Sequence, residues 1–471
     1  MLRRPRIALL LAAALVGALA TGSVAAPTAA PQLPDPYYPL DGNAGYDVRH
    51  YGIHASYRFG DQHLSGVTRI RLVPSTELTT FHLDLLLRVR AVRVDGQPAE
   101  FEKPHPHEVA ITPADPLVVG EPVDVLVRYH GFPRRVGYLN ERNWLGDRHE
   151  VVTMNEPHMA PWWFPSNDHP SDKARFDIRV TTAKDREVIS NGVRKGRVVH
   201  GRTATTHWRM ADPMTTYLAF FAAGDFAIQR GRAHGFLYYN AVSQRYSDFG
   251  TRRGLRALAQ SPRITAWLQD ELGEYPFATT GGLVTSLPVG FALENQSRPT
   301  YGGAPPAWLL VHELAHQWFG DSVSVARWQD IWLNEGFATY MEKRYAEARG
   351  GQTTSRWLHR KYGSEPSGSG FWDLDISDPC GSTTPCRISH QFDIRIYDRG
   401  ATTLAALRNR IGNADFRQLL RRWVSVHEGG NATSEQFEQM AETVSGEQLD
   451  AFFDAWLRSG ERPPNTARYG L

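Results

Sequence analysis

The sequence predicts an α+β protein of more than one domain, in which a β-sheet-rich first half precedes a mainly helical second half. With 471 residues, the chain is too long for one compact core. Apolar residues alternate with period two from about residue 45 to residue 225, whereas helical spacing prevails from about residue 226 to residue 460. An apolar content of 41% and a charged content of 22% are typical of packed globular proteins.

The first 26 residues are typical of a secretory signal peptide. Arginines near the start precede an apolar run that ends near Ala20, and small residues lead to an expected cleavage after Ala25 or Ala26. The alternative is a membrane anchor, but the run has about 14 apolar residues where a spanning helix needs roughly 20. We therefore expect a secreted protein. Residues 27–44 are rich in Pro and Ala without a period, which predicts a leader or linker.

Residues 45–225 are predicted to form a β-domain. Apolar residues alternate on both sides of an Asp95-Gly96 pair, the turn chemistry of a hairpin. A later stretch places three valines on one face of a strand: Val123, Val125 and Val127.

Residues 226–460 are predicted to form a helical domain, and residues 461–471 a tail. One helix is expected to start with Ser261 as a cap and Pro262 in the first turn, and to end at Gly273. Thr433 and Gln436 form a capping box before another helix. Helical spacing also covers 307–319, 330–346, 400–411, 415–426 and 434–444.

Charge and cysteine content restrict the function classes. Without its signal peptide the chain has 49 basic and 50 acidic residues, a net charge near −1, and no basic run with interleaved aromatics. Neither nucleic acid nor an anionic membrane is therefore an expected partner. Cys380 and Cys386 enclose a Gly/Ser/Thr/Pro loop and are expected to form a small disulfide; two free thiols or metal ligands are the alternatives.

The segment HELAH contains a candidate metal site. On a helix, His312 and His316 lie on one face, about 6 Å apart, and could both bind one ion. The alternative is a pair of histidines on a packed or solvated helix face. Glu335, after 18 intervening residues, supplies a third ligand on the next predicted helix. Two histidines and one carboxylate leave a zinc coordination position open for water, as in catalytic sites.

Other residues near these ligands are candidates for supporting roles. Asp330 and Asn334 could bind the imidazole N–H groups, or could instead cap a helix. Glu313 is the candidate base that takes a proton from water during attack on a carbonyl. Tyr397, expected just before a helix, is a candidate donor to the resulting oxyanion, although most tyrosines are structural.

These residues resemble those of the zinc aminopeptidases of the aminopeptidase N and leukotriene hydrolase family. That family has His-Glu-x-x-His, 18 residues and a Glu, followed by a tyrosine in a Tyr-x-Lys/Arg-Gly-Ala context. This chain has YDRGA at 397–401, so the resemblance implies that Tyr397 donates to the oxyanion. It also implies a saddle-like β-domain followed by a thermolysin-like catalytic domain.

The family's Gly-x-Met-Glu-Asn segment resembles FALEN at 291–295, with Phe291 and Leu293 as departures. By resemblance Glu294 binds the substrate amino group, and Ala292 and Asn295 belong to the same substrate-binding segment. The family's second amine-binding acid corresponds to Glu156. A buried carboxylate that meets an ammonium fixes which peptide bond reaches the metal.

The resemblance implies an aminopeptidase with one zinc ion per chain that acts on peptides with a free amino terminus, and we expect a monomer. The chain stops 136 residues after Glu335, and larger relatives have a further helical domain, so we expect a more open cleft. A zinc endopeptidase or an epoxide hydrolase would use the same zinc groups. An inactive peptide-binding protein is the alternative from another class.

Overall fold

The computed structural model describes residues 34–471. The predicted signal peptide and residues 27–33 of the predicted leader lie outside this part of the chain. Among the described residues, no helix has the length and apolar character required to cross a bilayer.

Residues 34–44 pack against the second half of the chain, where the sequence predicted a leader or linker. Tyr37 and Tyr38 are each 1% exposed. The Tyr37 hydroxyl donates to Asp378 at 2.6 Å, and Asp35 accepts from the Trp328 backbone at 2.9 Å. This part of the leader prediction is wrong, because two aromatic side chains and a capping carboxylate supply contacts that a periodicity search does not detect.

The first half of the described chain forms a ten-stranded sheet and a four-stranded sheet. The large sheet has the order β12-β13-β10-β1-β2-β7-β4-β5-β6-β3, and the small one β11-β14-β9-β8. The strands are β1 (Tyr46–Arg58), β2 (His63–Pro74), β3 (Phe81–Asp84), β4 (Arg88–Val94), β5 (Gln97–Glu102), β6 (Glu108–Thr112), β7 (Val123–Gly131), β8 (Leu145–Gly146), β9 (Val151–Val152), β10 (Ala174–Ala183), β11 (Glu187–Ser190), β12 (Val193–His200), β13 (Thr203–Met214) and β14 (Phe221–Gly224).

Two details of the predicted strands are confirmed. Asp95 and Gly96 both have positive φ, 48° and 81°, and join β4 to β5. The three valines of β7 are buried, and the residues between them are partly exposed. Alternation thus places one face of the sheet against the core.

The second half starts with a four-stranded sheet and continues mainly as helices. Its strands are β15 (Phe226–Ala233), β16 (Phe236–Ser243), β17 (Thr279–Val284) and β18 (Thr300–Tyr301), with a small pair, β19 (Ser324–Val325) and β20 (Asn431–Ala432). The helices are α1 (Asp248–Leu258), α2 (Ser261–Leu272), α3 (Ala307–Ala315), α4 (Trp332–Ala348), α5 (Thr354–Ser364), α6 (Ile388–Gln391), α7 (Ile394–Ile411), α8 (Asn413–His427), α9 (Ser434–Ser445) and α10 (Asp450–Phe453). The α+β prediction is confirmed.

Several helix ends differ from those the sequence predicts. The helix that carries His312 ends at Ala315 rather than at residue 319. The helix predicted to begin at residue 400 begins at Ile394, because the Asp393 side chain caps it by accepting from the Arg395 backbone. The capping box of Thr433 and Gln436 is confirmed. The last residues, 461–471, pack on α7, where Asn409 donates to the Gly470 carbonyl at 2.9 Å.

Candidate metal centre and active site

Three side chains from α3, its C-terminal turn and α4 converge on one point. The Glu335 Oε2 atom lies 3.2 Å from His312 Nε2 and 3.4 Å from His316 Nε2. Burial raises the pKa of Glu335, but the charge of His316 and the hydrogen bonds from both histidines outweigh it and lower the pKa to about 2. An ionised carboxylate and two imidazoles are a donor set that suits zinc.

The other ring nitrogens of the two histidines have partners that fix the ring orientations. His312 Nδ1 lies 2.8 Å from Glu342 Oε1, and His316 Nδ1 lies 3.0 Å from the Phe319 carbonyl oxygen. Both Nε2 atoms are therefore directed at Glu335, as metal binding requires. Sequence reasoning missed Glu342, although it follows Glu335 by seven residues and thus lies on the same face of α4.

The proposed supporting roles of Asp330 and Asn334 are not what the structure shows. Asp330 accepts from the Ser434 hydroxyl at 2.6 Å and from Arg327 at 2.9 Å, so it joins the turn before α4 to the start of α9. The Asn334 amide makes no hydrogen bond to either histidine within the described chain. For Asp330 the imidazole-partner alternative is wrong, whereas the helix-cap alternative is closer, because Asp330 also accepts from the backbone N–H of Ser434, the first residue of α9, at 3.0 Å.

Glu313 follows the first histidine and is 4% exposed. Burial raises its pKa to about 8, although the neighbouring charges of His312 and His316 lower it. A cation held by the three ligands would lower this pKa further by Coulombic attraction. The group is thus placed to exchange a proton with water near neutral pH.

Tyr397 lies in the first turn of α7 and faces the same centre. Its ring lies nearly parallel to the His312 ring, with centroids 6.1 Å apart and an interplanar angle of 18°. Helices α7 and α4 approach closely because two glycines face each other: a Cβ atom on Gly400 would lie 2.8 Å from the Gly336 Cα atom. Since Gly336 follows Glu335, this contact sets the position of Tyr397 relative to the third ligand.

Arg399, from the YDRGA segment, anchors α7 to the chain segments at residues 372–374 and 456–459. Its guanidinium is buried and donates to backbone carbonyls of Trp372, Leu374, Trp456 and Ser459 at 2.6–2.8 Å. A buried guanidinium needs several acceptors to offset its desolvation. The arginine of this motif therefore holds the helix that carries Tyr397.

The FALEN segment is a loop that Gln317 fastens to the turn after α3. The Gln317 side chain donates to the Glu294 carbonyl at 2.9 Å and accepts from the Ser297 backbone at 2.6 Å. An antiparallel bridge from Leu293 to Thr300 closes the loop. Sequence reasoning missed Gln317, although it follows His316 directly.

Glu294 and Glu156 place two carboxylates beside the metal ligands, one from each half of the chain. Burial raises the pKa of Glu156 well above its ordinary value, and the charge of Glu294 raises it further. Burial also raises the pKa of Glu294, which the charge of His316 opposes. The Glu156 Oε1 atom is buried and has no hydrogen-bond partner within residues 34–471. Such a pair of acids favours a cationic ligand.

A cleft of about 880 Å³ joins these groups. Ala292 lines it, together with the metal ligands, Glu156, Glu294, Glu313 and Tyr397. Asn295 does not: it is 0% exposed, and its amide donates to the Leu218 carbonyl at 3.1 Å. The expectation that Asn295 contacts substrate is therefore wrong for this conformation, because Asn295 holds the loop instead. Phe291 and Trp308, 47% and 56% exposed, form an apolar rim.

Cys380 and Cys386 are joined in a disulfide. The loop they close packs on the segment at residues 34–44: the Tyr37 carbonyl accepts from the Cys386 backbone at 3.1 Å, and the Tyr37 hydroxyl from the Cys380 backbone at 3.1 Å.

The fold and the site together are those of a metal-binding protein whose candidate ligands lie in a helical domain that follows a β-domain in the chain. Comparison with known proteins gives the family. The chain belongs to peptidase family M1: residues 281–456 match the peptidase family M1 domain, and residues 48–218 match the peptidase M1 N-terminal domain. This confirms the predicted family and the order of a sheet domain before a helical catalytic domain.

Solved and curated relatives support the assignment. An M1 zinc metallopeptidase mutant from Deinococcus radiodurans, bound to a Tyr-Ser-Ala substrate, superposes with a TM-score of 0.82 at 27% identity, over 92% of this chain and 99% of that one. Probable aminopeptidase 2 of Sulfurisphaera tokodaii is 28% identical over 66% of this chain and 42% of its own length. Aminopeptidase N of Lactococcus lactis is 26% identical to this chain, and the match covers 67% of this chain and 39% of that protein's own length. This chain spans less than half the length of these two curated relatives. Zinc is the cofactor of this site, as predicted.

Proposed function

We propose that the protein is a zinc-dependent aminopeptidase that hydrolyses the first peptide bond of peptides with a free amino terminus. The observation that carries this proposal is the pair of buried carboxylates beside the metal ligands. Glu294 lies on the loop held by Gln317, and Glu156 has a buried oxygen without a partner in the described chain. An α-ammonium group would satisfy both acids.

The two acids would determine which bond is cut. An ammonium held between Glu156 and Glu294 places the first carbonyl of the peptide nearest the ligands His312, His316 and Glu335. A carbonyl further along the peptide would lie outside reach. Orientation of this kind would restrict hydrolysis to the peptide bond after the first residue.

The remaining groups would serve the hydrolytic step. Zinc, when bound, polarises a carbonyl and lowers the pKa of water. Glu313 would accept a proton from the attacking water and then deliver it to the leaving amine. The Tyr397 hydroxyl would donate a hydrogen bond to the oxygen that gains negative charge on the substrate. Because this hydrogen bond would strengthen only as the charge develops, its contribution would appear in turnover rather than in substrate binding.

The experiment that tests the proposal compares an unblocked tripeptide with its N-acetylated form. We expect kcat/KM to fall roughly 100-fold or more on acetylation, since buried carboxylates are then left without an ammonium. Glu294→Gln should lower kcat/KM for the unblocked peptide and narrow this difference. Glu461→Gln, at an exposed position, is the matched control and should change neither value.

Other outcomes would identify other functions. Equal cleavage of both peptides at an internal bond would indicate an endopeptidase. Hydrolysis of an epoxide without cleavage of peptides would indicate an epoxide hydrolase. A zinc-loaded chain that binds the tripeptide without turnover would be an inactive binding protein.

We also propose that the protein is exported and acts as a monomer on extracellular peptides. The arginine-started apolar run that ends near Ala20 supports export. When cells that produce the protein are grown in culture, amino-terminal sequencing of the protein recovered from the medium should show Ala26 or Pro27 as its first residue. Light scattering should give the mass of one chain; a cell-bound precursor or a dimer would contradict these two points.

A further inference from the structure

A second cluster of potential metal ligands lies in the β-domain, remote in sequence from the catalytic cleft. Asp84, His107 and Glu108 each offer a ligand atom, and these atoms all lie within 4.8 Å of one another. The three residues are 0%, 1% and 5% exposed. Asp84 ends β3, and Glu108 begins β6.

The pairing of β3 with β6 places two acids directly opposite each other. Asp84 and Glu108 are register partners in the antiparallel ladder. Directly opposed like charges destabilise a sheet, and burial increases the effect because water no longer screens them. This position therefore requires a neutralising group.

The imidazole of His107 lies between the acids without satisfying them. His107 Nε2 is 3.5 Å from Asp84 Oδ1 and 3.8 Å from Glu108 Oε1. Asp84 Oδ1 and both oxygens of Glu108 are buried and have no hydrogen-bond partner within the described chain. The other oxygen of Asp84, Oδ2, accepts from the backbones of Gly42 at 3.1 Å and Asp168 at 2.7 Å. Those contacts hold the carboxylate with Oδ1 directed into the cluster.

The neighbouring charges leave the cluster negative. His158 pairs with Asp41 Oδ2 at 2.6 Å and with Glu141 at 3.1 Å, so its charge is already shared. Asp41 adds a further acid, because its Oδ1 atom forms a hydrogen bond with His107 Nε2 at 3.1 Å. The ammonium of Lys103 donates hydrogen bonds to the carbonyls of Leu85 and Leu87. A protonated His107 carries one positive charge, so it could neutralise only one of the two opposed acids, Asp84 and Glu108.

We propose that Asp84, Glu108 and His107 bind a second divalent transition-metal ion, of the zinc class, which has a structural role. The donor separations of 3.5 and 3.8 Å are close to the roughly 3.4 Å expected between ligands of a tetrahedral zinc. An imidazole among the donors favours zinc over calcium or magnesium. The ion would join β3 to β6 and, through Asp41, to the segment that precedes β1.

The test measures bound zinc on the untagged full-length chain after saturation with Zn²⁺ and exhaustive dialysis. We expect two zinc ions per wild-type chain and one in Glu335→Ala, which loses the catalytic ligand. Asp84→Asn in that background should remove the remaining ion. A zinc-edge anomalous map of Glu335→Ala should show one peak bounded by Asp84, His107 and Glu108.

Three results would overturn the proposal. The first is a Glu335→Ala chain without zinc, which would mean that Asp84 and Glu108 share a proton instead. The second is retention of the ion in the folded Asp84→Asn double variant, and the third is an anomalous peak elsewhere. If Asp84→Asn does not fold, Glu108→Gln replaces it, and the anomalous map requires no change in the cluster. Peptidase activity of Glu108→Gln with wild-type catalytic residues should persist, which separates this proposal from the proposed function.

Discussion

Replacement of Glu342 tests whether a residue outside the metal ligands controls zinc affinity. Glu342 Oε1 lies 2.8 Å from His312 Nδ1, and its other oxygen lies 2.9 Å from the Lys343 ammonium. Glu342→Gln keeps a similar size and one acceptor but removes the charge, whereas Glu342→Ala removes the contact. Loss of such a partner typically weakens metal binding 10- to 100-fold, or about 1.4–2.7 kcal/mol. We expect Glu342→Gln to weaken zinc binding about 10-fold and Glu342→Ala to weaken it about 100-fold.

The assay is zinc competition with a chromophoric chelator of known affinity, at fixed pH and with the second cluster saturated beforehand. Lys343→Met is the control, because it removes the other partner of Glu342 and leaves the contact with His312 intact. Its effect on zinc affinity should stay below about threefold, as for a partly exposed ion pair. Equal zinc affinity of wild type and Glu342→Ala would refute the assigned role of Glu342.

Three further changes have distinct expected outcomes. Glu313→Gln should retain zinc but lower kcat by about 10²–10⁴-fold, measured with an aminoacyl anilide, because the proton acceptor is lost; near-normal turnover would contradict the assignment. Tyr397→Phe should lower kcat with little change in KM, and a KM effect alone would contradict an oxyanion contact. Gly400→Ala should lower the free energy of unfolding by about 1–3 kcal/mol because its Cβ would meet the Gly336 backbone. Gly363 lies in α5, and a Cβ atom there would meet open space. Gly363→Ala, the control, should therefore leave the free energy of unfolding in urea unchanged or raise it by up to about 1 kcal/mol.

The metal ligands could be predicted because their spacing is local. His312 and His316 need only one turn of helix to meet, and Glu335 lies in the first turn of the next long helix. The roles proposed for Glu313 and Tyr397 follow from the positions of these residues in the HELAH and YDRGA segments. Alternation in β7 and the capping box of α9 were equally local signals.

The groups that hold the site in place depend on contacts between distant segments, which sequence spacing does not encode. Gln317 could have been read as one more helical residue, yet it fastens the loop that carries Glu294. Gly400 belongs to the YDRGA segment, but the sequence does not show why a glycine is needed there. The structure does, because Gly400 of α7 packs directly against Gly336 of α4. Asn295 was expected in the cleft, but the acceptor that turns it away lies 77 residues earlier in the chain.

The β-domain contributes to the site as well as to the fold. Glu156 reaches the cleft from the β-domain. Arg298, which follows the FALEN segment, donates to the β-domain carbonyls of Ser190 at 3.3 Å and Gly192 at 2.8 Å. The loop with Glu294 is therefore held from both halves. Separation of the two halves would move Glu156 away from the metal ligands, so under the proposed function the recognition of a free amino terminus would depend on the docking of the two halves.

The measurement that tests the central claim most directly is a crystal structure of zinc-loaded Glu313→Gln with an unblocked tripeptide. We expect the peptide amino group to lie within hydrogen-bond distance of both Glu156 and Glu294, with the first carbonyl nearest the zinc ligands. A tripeptide whose amino group points to solvent, with a later carbonyl at the metal, would contradict this expectation.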